Sequence, residues 1–243
     1  MYYNPDAEYL LTIIIPLYNE EGNLARLADE LTDYISHTIY KAKVLFVNDG
    51  STDNSAKLIE EFCNQNKAFG FIHLSKNGGL STALKAGIDQ VDTKYTGYID
   101  ADLQTTPFDF DHLMEYIDCC DLVTGIRAGR KDSIIKLISS RVANSIRRAV
   151  THDNVVDTGC PLKVFHTDAA RRIPFFKGMH RFLPALIQLG GGHVKEIPVR
   201  HFERIAGNSK YHLHNRLIGP ATDLIAFIWI RSRYIRYEIS GKG

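Results

Sequence analysis

The strongest constraint in this chain is a pattern used four times in its first hundred residues. A short apolar run rich in β-branched residues is followed by polar and glycine-rich residues, and then by an amphipathic segment. The apolar runs at 10–15, 44–47, 69–74 and 95–99 predict strands. Residues 20–37 carry Leu24, Leu27, Ala28 and Leu31 at helical spacing, and 53–66 and 80–90 predict two further helices, with Asp53 as candidate N-cap of the former. Strands separated by helices join in parallel through crossovers, so the class is α/β, with a Rossmann-like, mainly parallel sheet flanked by helices.

In such sheets ligands sit at the carboxyl ends of the strands. The residues there are Pro16-Leu17-Tyr18-Asn19-Glu20, Asn48-Asp49-Gly50-Ser51-Thr52-Asp53, Ser75-Lys76-Asn77-Gly78-Gly79 and Asp100-Ala101-Asp102. Any one of these is ordinary turn chemistry. Four at one edge predict one site. Residues 77–83 lack the Lys-Ser/Thr ending of a P-loop, and no GxGxxG occurs, which excludes a Walker-type NTPase and a dinucleotide oxidoreductase. Ala83 and Gly87, four apart, predict a helix lying close on the sheet. Asp100 and Asp102 are two apart, so an extended backbone would point both carboxylates to one side. Hard divalent cations take such oxygens, with Gln104 as a further donor. The bland reading of Asp102 is a turn or cap residue before a helix near Pro107.

Charge divides the chain. Residues 1–126 hold 8 Lys/Arg against 20 Asp/Glu, and residues 127–243 hold 21 against 8. A basic second half predicts contact with phosphates, on a substrate or a membrane. The N-terminus has neither the basic nor the apolar region of a signal peptide. The apolar run 224–230 is far below the ~20 residues that span a bilayer. Cys63, Cys119, Cys120 and Cys160 show no CxxC spacing, so they read as reduced thiols, and His212 and His214 read as solvent-facing.

The segments IIPLYNE (13–20), VNDGSTD (47–53), N-x-G-x3-A-x3-G (77–87) and DADLQ (100–104) resemble, in order and spacing, glycosyltransferase family 2 with its GT-A fold. DTGCPLKVF (157–165), GMHRFLPAL (178–186) and RIAGNSKY (204–211) look like the branch that transfers sugars to dolichyl or undecaprenyl phosphate. The resemblance covers about residues 10–237. It implies a hexosyltransferase in which Pro16, Tyr18, Glu20 and Asp49 hold base and ribose. Ser51, Asn77, Gly79 and Ala101 complete the nucleotide-sugar site. Asp100 and Asp102, with Gln104, would hold Mg²⁺ or Mn²⁺ on the diphosphate. A UDP-sugar is the first choice of donor and a GDP-sugar the second. Relatives usually continue into transmembrane helices, and their anchoring is not carried over.

The family inverts configuration, which implies one in-line displacement. A lipid phosphate is already ionised and needs no general base; it needs cations beside the donor's charge. Arg127, Arg130 and Lys131, expected in a loop after a fifth strand, and Arg204, Ser209 and Lys210 are assigned to the phosphates. Asp157 is left as base, acceptor-orienting residue, or partner of the metal or an arginine. The expected organisation is a catalytic domain over 1–211, with a nucleotide-sugar half (1–126) and an acceptor half (127–211). A C-terminal amphipathic helical extension, 212–243, follows. In it Leu217, Ile218, Ala221, Leu224, Ile225, Ile228 and Trp229 form an apolar face, and arginines alternate with tyrosines over 231–237. That tail is expected at the cytoplasmic face of the membrane. No nucleic acid partner is expected, and a homo-oligomer is left open. The alternative is transfer to a hydroxyl of a glycan or glycolipid in cell-envelope synthesis. A processive synthase is set aside because QxxRW is absent. A nucleotidyltransferase is set aside because a basic glycine-rich loop after the first strand is absent, and a silent scaffold because the acidic and basic motifs are intact.

Overall fold

A computed structural model describes residues 8–127, 145, 147–203, 218–235 and 241. Seven strands, numbered in chain order, form one sheet in which the third, second, first, fourth, sixth, fifth and seventh lie side by side. The first four, β1 (Leu11–Leu17), β2 (Ala42–Asn48), β3 (Phe69–His73) and β4 (Tyr95–Tyr98), are parallel to one another. Their connections are α1 (Glu21–His37), α2 (Ser55–Gln65) and α3 (Leu80–Gln90). β6 (Lys163–His166) runs antiparallel between β4 and β5 (Leu122–Arg127), and β7 (Val194–Val199) pairs parallel with β5. β4 and β5 therefore end at the same edge. The fold is α/β with a mixed sheet flanked by helices, as expected, and the antiparallel insertion is what the sequence reading did not foresee.

All seven residues of β1 are buried, because helices cover the sheet on both faces. Leu24, Leu27, Ala28 and Leu31 of α1 pack on one face, and Leu84 and Ile88 of α3 on the other. Gly87 behaves as its spacing predicts: a Cβ there would meet Ile14 Cγ2 at 2.8 Å. α2 begins at Ser55, and its N-cap position is Asn54 rather than the expected Asp53; Asp53, one residue earlier, accepts the Ser55 amide at 3.0 Å. The other Asp53 oxygen accepts the Glu21 amide at 3.3 Å, so one carboxylate ties the starts of α1 and α2. Beyond β4 a 3₁₀ turn at Pro107 leads into α4 (Phe110–Met114), capped by Thr106 rather than Asp102.

After β6 come α5 (Thr167–Arg172) and α6 (Leu183–Leu189), and after β7 comes α7 (Ile218–Arg233). α7 docks on the sheet domain through Phe227, 1% exposed and stacked on Phe182 with ring centroids 5.3 Å apart. Asp223 pairs with Arg181, and Arg231 donates to the Val150 carbonyl. Most of the apolar face read from the sequence is turned outward: Ile225 is 66% and Trp229 65% exposed, and Ile228 is also exposed. No described helix is long and apolar enough to cross a membrane. Leu217 and much of the basic tail lie outside the described residues.

Candidate active site

Four strand-end loops close around a cavity of about 340 Å³. Pro16, Tyr18 and Glu20 come from the first loop and Asp49 from the second. Asn77 and Gly79 come from the third, and Asp100, Ala101 and Asp102 from the fourth. Leu17, Leu80 and Ala83 supply an apolar wall that the sequence reading did not assign. A larger groove of about 560 Å³ lies between α1 and α2 at the start of β3, away from these loops.

The loops brace one another. Asp49 is 3% exposed, and its carboxylate accepts the amides of Gly78 at 2.8 Å and Gly79 at 2.7 Å. Asp49 therefore shapes the third loop as well as lining the cavity. Gly50 has φ +69, and a Cβ would lie 2.6 Å from the Lys76 carbonyl carbon, so glycine is required where these loops touch. Ser51 is placed otherwise than expected: it does not line the cavity, and its Oγ accepts the Asn19 amide at 2.9 Å. Glu20 accepts the Asn23 side-chain amide at 2.8 Å, and Ser55 Oγ accepts the Glu20 amide at 3.0 Å.

Asp100 and Asp102 face the same cavity, though not by strand alternation. β4 stops at Tyr98, residues 101–102 form a turn, and buried Leu103 takes the left-handed φ of 55. A leucine there is strained, by about 1–2 kcal/mol. Asp102 accepts the Gln104 amide at 3.1 Å, so it is a turn residue and a cavity residue at once. Gln104 is absent from the cavity wall. Its carbonyl instead accepts from the Phe202 amide at 2.9 Å and bonds His201 Nδ1 at 3.0 Å. Beside it, Asp109 accepts the Arg200 amide and Nε, each at 2.8 Å. The segment after β7 is thereby strapped to the Asp100–Asp102 loop.

Burial, then the Asp102 charge, push the Asp100 pKa up to about 6. The Tyr98 hydroxyl, donating to Asp100 at 2.7 Å, and the Lys163 and Arg127 charges act in the opposite direction. Two carboxylates on one wall, one held above the usual carboxylate range, are a hard-oxygen donor set that suits a divalent cation. Among the described residues no group of three or more His, Cys, Asp or Glu could hold a metal by itself. Two carboxylates fit an ion shared with substrate phosphates.

Arg127 is the last residue of β5, not a loop residue. Its Nε and Nη2 each donate to Asp157 at 2.8 Å, and its amide donates at 3.2 Å. Burial raises the Asp157 pKa, but the forked guanidinium outweighs it and the carboxyl lies below its ordinary range. Of the roles left open for Asp157, the arginine partner is the one the geometry displays. Arg130, Lys131, Arg204, Ser209 and Lys210 lie outside the described residues. Sequence reasoning missed Lys163, which is 1% exposed, although a lysine inside the apolar stretch Leu162–Phe165 was the available signal.

A mixed α/β sheet carrying two aspartates after β4 defines the class of GT-A glycosyltransferases. The model of Glycosyl transferase family 2 matches residues 12–175, and the chain belongs to that family. Among curated proteins it is 33% identical over 217 residues to an undecaprenyl-phosphate 4-deoxy-4-formamido-L-arabinose transferase of Yersinia pestis (strain Pestoides F). The alignment covers 88% of this chain and 66% of that protein, and the Yersinia pseudotuberculosis protein of the same name matches to the same extent. The chain thus spans about two thirds of the length of these relatives. Among solved structures, a mannosyltransferase from Pyrobaculum calidifontis in complex with GDP-Man and Mn²⁺ superposes with TM-score 0.64 at 17% identity, over 97% of this chain and 67% of that one. Glucosyl-3-phosphoglycerate synthase from Mycobacterium tuberculosis, with Mn²⁺, UDP-glucose and phosphoglyceric acid, gives 0.67 at 12% identity, over 94% and 81%.

Proposed function

We propose that the chain transfers a sugar from a nucleotide-diphosphate donor, a UDP-sugar first, to the phosphate of a polyprenyl phosphate, with inversion. Mg²⁺ or Mn²⁺ would be held by Asp100 and Asp102. The observation that carries this reading is the Asp100–Asp102 pair on the wall of a cavity made by four strand ends, with a half-buried arginine at the end of β5 on the same edge. The donors named in the two solved complexes, GDP-Man and UDP-glucose, both with Mn²⁺, are of the proposed class. The acceptor named in the Yersinia proteins is undecaprenyl phosphate.

Pro16, Tyr18, Glu20 and Asp49 would hold base and ribose, Asn77 and Gly79 would complete the nucleotide-sugar site, and Asp100 and Asp102 would hold the diphosphate end through the cation. When bound, that ion neutralises charge that collects on the leaving diphosphate. Arg127 directs its remaining N–H groups to phosphate, while Asp157, both oxygens engaged by Arg127, positions it. The acceptor phosphate attacks the anomeric carbon already ionised, so no residue has to remove a proton. The engaged Asp157 is a poor base, which disfavours the hydroxyl-acceptor alternative. The strap from residues 200–202 to Gln104 and Asp109 supports bringing Arg204, Ser209 and Lys210 to the acceptor phosphate, with Arg130 and Lys131. The outward Ile225, Ile228 and Trp229 support a membrane surface beside α7.

The test is transfer of labelled sugar from a panel of UDP- and GDP-hexoses and the formamido-arabinose donor to undecaprenyl phosphate in detergent. Label in the organic phase that needs metal and Asp102 is expected. Nucleotide release only with a glycan acceptor would overturn the lipid-phosphate assignment.

A further inference from the structure

Lysine is almost never fully buried unless paired. Lys163 opens β6, opposite Tyr98 in the β4 pairing, and is 1% exposed. Its Nζ donates to the carbonyls of Cys160 and, at 3.4 Å, Thr158, and among the described residues it meets no carboxylate within ion-pair distance. A buried ammonium held only by carbonyls is an expensive fastener. Its location explains it.

The two carbonyls flank Gly159 in the turn that begins at Asp157. The Arg127 guanidinium lies on that turn: a Cβ at Gly159 would stand 3.0 Å from Arg127 Nη2. On its amino side the turn is anchored by Glu196 of β7, which accepts the amides of Val156 at 2.9 Å and Asp157 at 3.0 Å. On its carboxyl side Lys163 holds the Thr158 and Cys160 carbonyls, and the Gly125 amide of β5 donates to the Leu162 carbonyl at 2.9 Å. Burial pushes the Lys163 pKa down from its ordinary value, while the Cys160, Asp157 and Asp100 groups around it act in the opposite direction.

We propose that Lys163 is a positioning residue for sugar transfer. By gripping the Thr158 and Cys160 carbonyls, it fixes the turn from which Asp157 aims Arg127 at the phosphates. This rests on the glycosyltransferase reading above. Nothing in the reaction passes through Lys163 itself; it acts through Arg127.

A double-mutant cycle separates this from a general structural role. Lys163→Met, Lys163→Gln, Arg127→Ala and the Met/Ala and Gln/Ala doubles are assayed with labelled UDP- and GDP-sugars, Mn²⁺ and undecaprenyl phosphate in detergent. Folding is checked by circular dichroism and thermal melting. Each Lys163 single variant is expected to lower kcat about tenfold or more with the donor KM little changed, and to lower it no further once Arg127 is absent. An equal fractional loss in both backgrounds would overturn the proposal, as would kcat within twofold of wild type. Failure of both Lys163 variants to fold would also overturn it, by assigning the lysine to the fold alone. A wild-type chain that transfers no sugar from any donor would instead overturn the glycosyltransferase reading on which the proposal rests.

Discussion

The ends of β4 and β5 lie on one edge of the sheet, separated by β6, and treat an aspartate in opposite ways. At the end of β4, Asp100 touches a tyrosine hydroxyl but no cation among the described residues, and its pKa rises to about 6. At the end of β5, Asp157 is forked by Arg127 and its pKa falls. Both carboxyls are penalised by burial, so the difference is the partner. Where the chain needs fixed geometry it supplies its own cation. On the proposed reading, the Asp100 end is where a cation would arrive with substrate.

That contrast can be broken most severely at the β4 end. Asp102→Ala, or chelation of the metal, is expected to lower transfer about a thousandfold, because several kcal/mol of charge neutralisation is lost. Equal transfer in EDTA would end the metal reading. Next comes Arg127→Ala, expected to lower turnover about a hundredfold. It should also destabilise the fold by about 3–5 kcal/mol, because it leaves Asp157 buried and unpaired; urea unfolding reads the second effect. The pH response sharpens the comparison. Asp100 is protonated below about pH 6, so Mn²⁺ must displace a proton there. Affinity measured by titration calorimetry should fall about tenfold for each pH unit below that value. The Asp157 pair behaves differently: its folded pKa is depressed, so its stabilisation is present above the unfolded carboxylate value and is lost only as pH falls through the lower folded one. Smaller still is Tyr98→Phe, which removes the bond that favours ionised Asp100. It should weaken Mn²⁺ binding at pH 6 by roughly threefold to tenfold, in line with about 1 kcal/mol for such a bond. Least affected is turnover in detergent by Trp229→Ser, expected within twofold of wild type, while sedimentation with anionic vesicles should decrease.

Much of this was legible in the residues. The four strand-end loops read from the sequence supply nine of the ten assigned nucleotide-sugar residues to one cavity, because strand order and side-chain periodicity depend on local pattern. Ser51 escaped because a loop serine bonds equally well to a neighbouring backbone amide. Gln104 escaped because its backbone, not its amide side chain, makes the contacts. Lys163 escaped for a third reason: polar residues in apolar runs read as surface until a sheet closes over them. In α7 the periodic face was correct as a pattern, but the docking residue, Phe227, lies off it, since which stripe is covered depends on the partner surface.

The place of β6 in the sheet has a consequence for biosynthesis. β4 finds its outer neighbour only in residues 163–166, and β5, made earlier, attaches through that same strand. Until residue 166 has left the ribosome, the growing chain exposes a bare strand edge at β4, the kind of edge that invites mispairing. Lys163, the first residue of the closing strand, is delivered in the same event. Joining of β4 to β5 and arrival of the lysine anchor are therefore one step, with β7 and its Glu196 anchor following later, and a half-made chain carries the four strand-end loops without either support of the arginine's turn.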